Sequence, residues 1–132
     1  MTIEPTPQQF QRLASSQDDS PVVMLNLLRF KDRADGIDAD EGITGAEAYA
    51  RYGAAVAPHL ARVGGRVLSV MQPQESVIGP EHGEWDLVLL AEYPSRAAFL
   101  QMISDPGYVA VHSHRAAALA DSRLIACKSL AA

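Results

Sequence analysis

With 132 residues, 48% of them hydrophobic and 20% charged, the chain has the size and composition of one folded domain that needs neither disulfides nor metal to hold a core. Its 11 basic residues are scattered among 16 acidic ones, for a net charge of −5. That balance argues against a nucleic-acid partner, because binding to a phosphate backbone draws on clustered Lys and Arg.

The first element in chain order spans residues 6–14, where Thr6 is placed to cap, Pro7 stands at the first helical position and apolar residues follow at helical spacing. This predicts a short helix reaching to about residue 17. After a polar break, Val22-Val23-Met24-Leu25-Asn26-Leu27-Leu28 is apolar except for Asn26 and reads as a strand. Residues 31–42 are acidic, contain two glycines and show no periodicity, which predicts an exposed loop. Thr44-Gly45-Ala46-Glu47 has the spacing of a capping box, and the Ala-rich segment behind it should run as a helix to the Gly64-Gly65 stop. On that helix Tyr52, Val56, His59, Leu60 and Val63 share a face, which should meet a sheet, and Pro58 should bend the rod.

Residues 66–79 read as a long strand interrupted near Gln72-Pro73. Gly79-Pro80-Glu81-His82-Gly83 is turn chemistry, and residues 85–93 form the returning strand of a hairpin, closed by Pro94. Ser95 then caps a helix over residues 96–103, Asp105-Pro106-Gly107 breaks it, and helical spacing resumes over residues 108–119. Residues 122–130 read as the last strand. The single Cys127 cannot form an internal disulfide, and the amino terminus lacks a basic segment followed by an apolar run. No apolar run nears the roughly 20 residues that cross a bilayer. The expected location is the cytoplasm, without a membrane partner.

The order helix, β, α, β, β, α, β, with right-handed crossovers, predicts an α+β fold of ferredoxin-like βαββαβ type. It should hold one domain over residues 1–132, its core at about 21–130, with a four-stranded antiparallel sheet in the order 4-1-3-2 and helices on one face. The two strands this order makes central are apolar on both faces: Met24 and Leu28 oppose Leu25 and Leu27, and Leu87 and Leu89 oppose Val88 and Leu90. Helices cover only one of those faces, so a second copy of the chain is the expected cover for the other, in a twofold homodimer.

The block from Val22 to Phe30, the hairpin residues Glu84-Trp85-Asp86, Tyr93-Pro94-Ser95, Asp105-Pro106-Gly107-Tyr108 and His114-Arg115 together resemble domain-of-unknown-function family 1330, over residues 21–126. The resemblance implies membership of the dimeric α/β-barrel superfamily, which includes cofactor-independent monooxygenases, muconolactone-isomerase-like proteins and haem-degrading enzymes. It implies a dimer with a pocket rather than one activity.

Several polar side chains are candidates for chemistry. Asn26, alone in an apolar strand, must have its amide satisfied by the backbone or by a ligand. Tyr52 and His59, seven residues apart, are nearly eclipsed on the sheet-facing side of their helix, where an imidazole serves either as a general base or as a hydrogen-bonded flank residue. Tyr108, His112 and Arg115 share one helical face and suit a carboxylate or enolate, or equally an internal ion pair. Trp85 at a strand end is either packing or a platform for substrate. His112 and His114 diverge by about 200° on a helix, so no metal site is expected. The acidic loop lacks the register of a calcium loop, and phosphate-binding glycine motifs are absent.

Three readings follow. The chain is an enzyme acting on a small organic metabolite without a cofactor, by proton transfer or oxygenation, with His59 or His112 carrying the proton and Asn26 or Arg115 holding an oxyanion. Alternatively it is a non-catalytic binding protein that uses the same pocket, or a structural module in which the polar groups satisfy one another.

Overall fold

Two threonines start the first two helices. Thr6 accepts from the Gln9 amide while the Gln9 side chain accepts from the Thr6 amide, and Thr44 and Glu47 form the same reciprocal box. Each such cap is worth about 1 kcal/mol. In the computed structural model, which describes residues 2–130, the elements are α1 (Pro7–Ser15), β1 (Val22–Phe30), α2 (Gly45–Arg62), β2 (Arg66–Met71), β3 (Leu87–Tyr93), α3 (Arg96–Ser104), α4 (Pro106–Ala118) and β4 (Leu119–Cys127), with a 3-10 turn at Gly36–Glu41. The α2 helix ends where a left-handed residue is cheap. Gly64 sits at φ 81°, and the amides of Gly64 and Gly65 close on the carbonyls of Ala61 and Leu60.

The strands form one antiparallel sheet in the order β2-β3-β1-β4. This is the ferredoxin-like order expected from the succession of elements. On the face under the helices, Val22, Met24 and Leu28 of β1, Ala91 and Tyr93 of β3 and Leu119 of β4 pack with Ala48, Tyr49, Tyr52 and Leu60 of α2, Phe99 and Met102 of α3, and Tyr108 and Ala118 of α4. The other face carries Leu25 and Leu27 opposite Leu90 and Val88, flanked by exposed Ile125 and Met71. No helix among the described residues is long and apolar enough to cross a membrane.

The elements depart from expectation in four places, each for a local reason. The strand predicted over residues 66–79 stops at Met71, because Pro73 has no N–H to continue a ladder. Residues 72–86 then run without regular structure, and Trp85 falls before β3 rather than within it. At the carboxyl end, α4 passes straight into β4 at Ala118 and Leu119, so the last strand begins three residues earlier than its composition indicated. As expected, α2 runs on through Pro58.

The acidic loop is the fourth departure. It was expected to be solvated, yet Asp38 within it is only 1% exposed. Its Oδ1 accepts from Arg51 at 3.2 Å and its Oδ2 lies 2.8 Å from His114 Nδ1, so the loop is pinned to both α2 and α4. Close approach also fixes Gly45, whose amide donates to the Lys31 carbonyl at 3.0 Å. A Cβ there would lie 2.3 Å from that oxygen and 2.7 Å from the Ala118 carbonyl, distances no side chain tolerates.

Candidate functional site

A cleft of about 980 Å³ opens between the helix-side face of the sheet, the α3 and α4 helices and the amino-terminal segment. Strand register supplies its floor. Asn26 pairs with Leu124 and Met24 with Ala126, which brings these four side chains to one face. The wall is set by helical period, since Tyr108, His112 and Arg115 stand at i, i+4 and i+7 on α4 and therefore along one stripe. Tyr52 reaches the same wall from α2, and Phe99, Met102 and Ile103 of α3 make the apolar end. The fourth side is a strap, residues 2–16, whose helix α1 contains no buried residue.

A hydrogen-bonded line of side chains runs along the wall. The Tyr52 and Tyr108 hydroxyls are 3.0 Å apart, the Tyr108 hydroxyl is 3.5 Å from His112 Nδ1, and His112 Nε2 is 2.6 Å from Glu4 Oε1 on the strap. Burial, and secondarily the Tyr108 hydroxyl, raise the Tyr52 phenol far above its ordinary range, so Tyr52 remains a neutral donor or acceptor. Burial raises Tyr93 in the same way, and pushes Tyr49 up to about 12 against the opposing pull of Arg115.

Arg115 is 8% exposed. Its Nη1 donates to the Ile3 carbonyl at 2.7 Å, and among the described residues no carboxylate forms an ion pair with it. Asn26 donates through Nδ2 to the carbonyls of Met24 and Leu89, both at 3.3 Å, which satisfies its N–H groups from the backbone. The strap is tied down at its start. The Thr2 amide donates to Asp121 Oδ1 at 2.9 Å, and the Ser122 amide and hydroxyl both donate to the Thr2 carbonyl at 2.8 Å. Asp121 is held far below the ordinary carboxylate range by the Thr2 amide first, with Arg123 and the Ser122 amide adding to it against desolvation.

Five of the seven residues singled out from the sequence thus meet at one cleft: Asn26, Tyr52, Tyr108, His112 and Arg115. The other two lie elsewhere. His59 shares a face with Tyr52, but two turns along a helix are about 10 Å of rise, which carries it past the cleft to the first turn of α4. A Cβ on Gly107 would come within 2.8 Å of His59 Cε1, and His59 Nδ1 is buried without a hydrogen-bond partner among the described residues. Trp85 has the guanidiniums of Arg29 and Arg123 over its ring, 5.7 Å and 5.1 Å from the centroid. His112 and His114 do diverge, one toward Glu4 and the other toward Asp38.

The sequence offered no signal for Glu4 or Ile3, since both act only once the strap folds back over α4. Asp38 carried a misleading one, because an aspartate among other acidic residues reads as solvated. Tyr93, also on the cleft wall, looked like an ordinary strand residue.

These features define a ferredoxin-like protein with a cleft between sheet and helices. Residues 39–128 match the family described as Domain of unknown function (DUF1330), and the chain belongs to that family. It is similar to a protein of unknown function from Rhodopseudomonas palustris, with 44% identity over 98% of each chain and a TM-score of 0.90. More distant is a dimeric protein of unknown function and ferredoxin-like fold from Bacteroides fragilis, 13% identical over 83% of this chain and 96% of that one, with a TM-score of 0.52. A variant of SnoaB, a cofactor-independent oxygenase from Streptomyces nogalater, is 19% identical over 86% of this chain and 96% of its own, with a TM-score of 0.51. None of the curated proteins compared matches the chain.

Proposed function

We propose that this chain is a cytoplasmic, single-domain homodimer that binds a small organic metabolite in the cleft and moves a proton on it without a cofactor. The observation that carries the reading is the line Tyr52–Tyr108–His112–Glu4 along the cleft wall. Imidazole is the side chain whose ordinary titration falls nearest neutrality, and His112 stands on the cleft wall between the Tyr108 hydroxyl and the strap's Glu4. A proton leaves an acidic C–H or O–H of the ligand for His112 and returns at another atom, which is an isomerisation. If the ligand anion meets dioxygen first, the outcome is an oxygenation of the kind named for SnoaB. Arg115 is the group suited to hold the developing oxyanion.

The dimer rests on the uncovered face of the sheet, where Leu25, Leu27, Val88, Leu90, Met71 and Ile125 form an apolar surface that water disfavours. The Bacteroides fragilis protein of the same fold is described as dimeric.

The test is solvent-deuterium exchange, followed by NMR, on a panel of 1,3-dicarbonyl and phenolic metabolites with the full chain. Wild type should accelerate exchange of at least one and His112→Ala should not, while His59→Ala should match wild type. Equal exchange by wild type and His112→Ala would refute the assigned proton carrier. One observation favours a second reading, a non-catalytic binding protein: both ring nitrogens of His112 already have partners. Under that reading the panel yields ligands that bind but never exchange faster than in buffer.

A further inference from the structure

The strap places two of its own acceptors on the two cationic or titratable groups of the cleft wall. Ile3 presents its carbonyl to Arg115 and Glu4 its carboxylate to His112 Nε2. These are neighbouring seats, because His112 and Arg115 are three residues apart on one helix and therefore adjacent on its surface. They are unequally filled. Arg115 is nearly sealed from solvent, yet receives only a neutral carbonyl, and a guanidinium taken out of water gains more from an anion than from an amide oxygen.

The strap is suited to give these seats up. Glu4 reaches His112 from a side chain that is 53% exposed, and α1, which follows it, has no fully buried residue, its hold on the core being the partly buried Leu13, with Ile3 ahead of it. Its firm attachment is at the start, at Thr2 on Asp121 and Ser122, and just beyond its far end Asp18 lies 3.6 Å from Arg96. Between those points the segment contributes no strand to the sheet. Beneath it Met24, Leu124, Phe99, Met102 and Ile103 supply apolar wall, and Asn26, Arg96 and Arg123 also line the cleft.

We infer that the cleft takes a small organic carboxylate with an aromatic or aliphatic body, whose charged end displaces the Ile3 carbonyl and the Glu4 carboxylate from Arg115 and His112. The body of the ligand lies on the apolar wall, and the strap closes over it as a cover held at its start. This rests on the small-molecule reading above and names the class of molecule.

The test is calorimetric titration of the full chain with two matched pairs, phenylacetate against phenylacetamide and hexanoate against hexanamide. At least one carboxylate should bind about tenfold or more tightly than its amide, the worth of a charge-assisted contact. Glu4→Gln, which removes the competing carboxylate from an exposed side chain, should tighten carboxylate binding about threefold or more and leave amide binding unchanged. Arg115→Gln should erase the preference for the acid. If that buried substitution prevents folding, the acid-to-amide ratio and Glu4→Gln still decide.

Acid and amide binding alike would overturn the inference while leaving the small-molecule reading intact. So would weaker or unchanged carboxylate binding in Glu4→Gln, which would make Glu4 part of the site rather than the holder of a seat. Failure of all four probes would overturn it as well, and the proton-transfer reading would then stand or fall on the exchange assay alone.

Discussion

The hydroxyls of Tyr52 and Tyr108 face each other at 3.0 Å, in a seam where the two rings meet edge to face with centroids 6.4 Å apart. Burial holds the Tyr52 phenol far above its ordinary range, so on its side of the seam Tyr52 passes a hydrogen bond and not a charge. Tyr52→Phe should cost about 1 kcal/mol, because it leaves a buried hydroxyl short of one partner. The double variant with Tyr108→Phe should cost less than the sum of the two single variants. A urea-denaturation cycle measures this, and strict additivity would mean that the two oxygens do not interact.

Asp38 supplies a second asymmetry. Its carboxylate is sealed, whereas its partners Arg51 and His114 keep 41% and 26% of their side-chain surface exposed. Asp38→Ala leaves behind two groups that water can solvate and should cost about 2 kcal/mol. Removing both partners while keeping Asp38 strands a buried charge and should destabilise the chain more. The order of the two denaturation midpoints checks this.

Asp121 predicts how stability changes with acid. Its folded pKa is depressed below the ordinary 3.8, so its contribution is fully present above that value and is lost as pH falls through the folded one. The stability gap between wild type and Asp121→Asn should therefore be constant from neutrality down to about pH 5 and shrink steadily below about pH 4. Chemical denaturation across that range gives the curve. A gap that widened on acidification would contradict the Thr2 and Arg123 contacts.

Two glycines of α2 should respond in opposite directions to the same substitution. At Gly45 a methyl group meets main-chain oxygens on two sides, and Gly45→Ala should cost about 2 kcal/mol or more. At Gly53 a methyl group meets nothing within 4 Å, so Gly53→Ala should stabilise the helix by about 0.5–1 kcal/mol. Thermal melts of the two variants against wild type settle the comparison.

The uncovered face of the sheet gives a prediction about assembly. Leu25 and Leu90 are directly paired across β1 and β3, and Leu25→Glu with Leu90→Glu would put like charges at the centre of the proposed interface. Sedimentation at micromolar concentration should find wild type as a dimer and the double variant as a folded monomer. A wild-type monomer would end the dimer proposal.

The sheet order was legible in the sequence because β1 and β3 are apolar on both sides, a pattern only central strands need. The α4 part of the site was legible for a similar reason: Tyr108, His112 and Arg115 repeat at helical spacing, so one helix is enough to gather them. What the sequence hid depends on distance along an axis or on a fold-back. His59 has the same angular position as Tyr52 but lies two turns away from the cleft, and periodicity is blind to that displacement. Glu4 and Ile3 reach the site through a segment whose own composition says only that a helix follows. The buried state of Asp38 is decided by Arg51 and His114, which are distant from it in the chain.

The direct passage of α4 into β4 makes the cleft's wall and floor a single rigid piece. With no linker at Ala118 and Leu119, one inserted residue there would have to widen the irregularity that β4 already carries opposite Arg29 and Phe30, turn the helix against its neighbours, or exchange the two sides of the strand so that Ile125 pointed inward and Leu124 outward. Relatives of this chain should therefore vary in length in the irregular segment 72–86 and hold the spacing from Tyr108 to Leu124 constant.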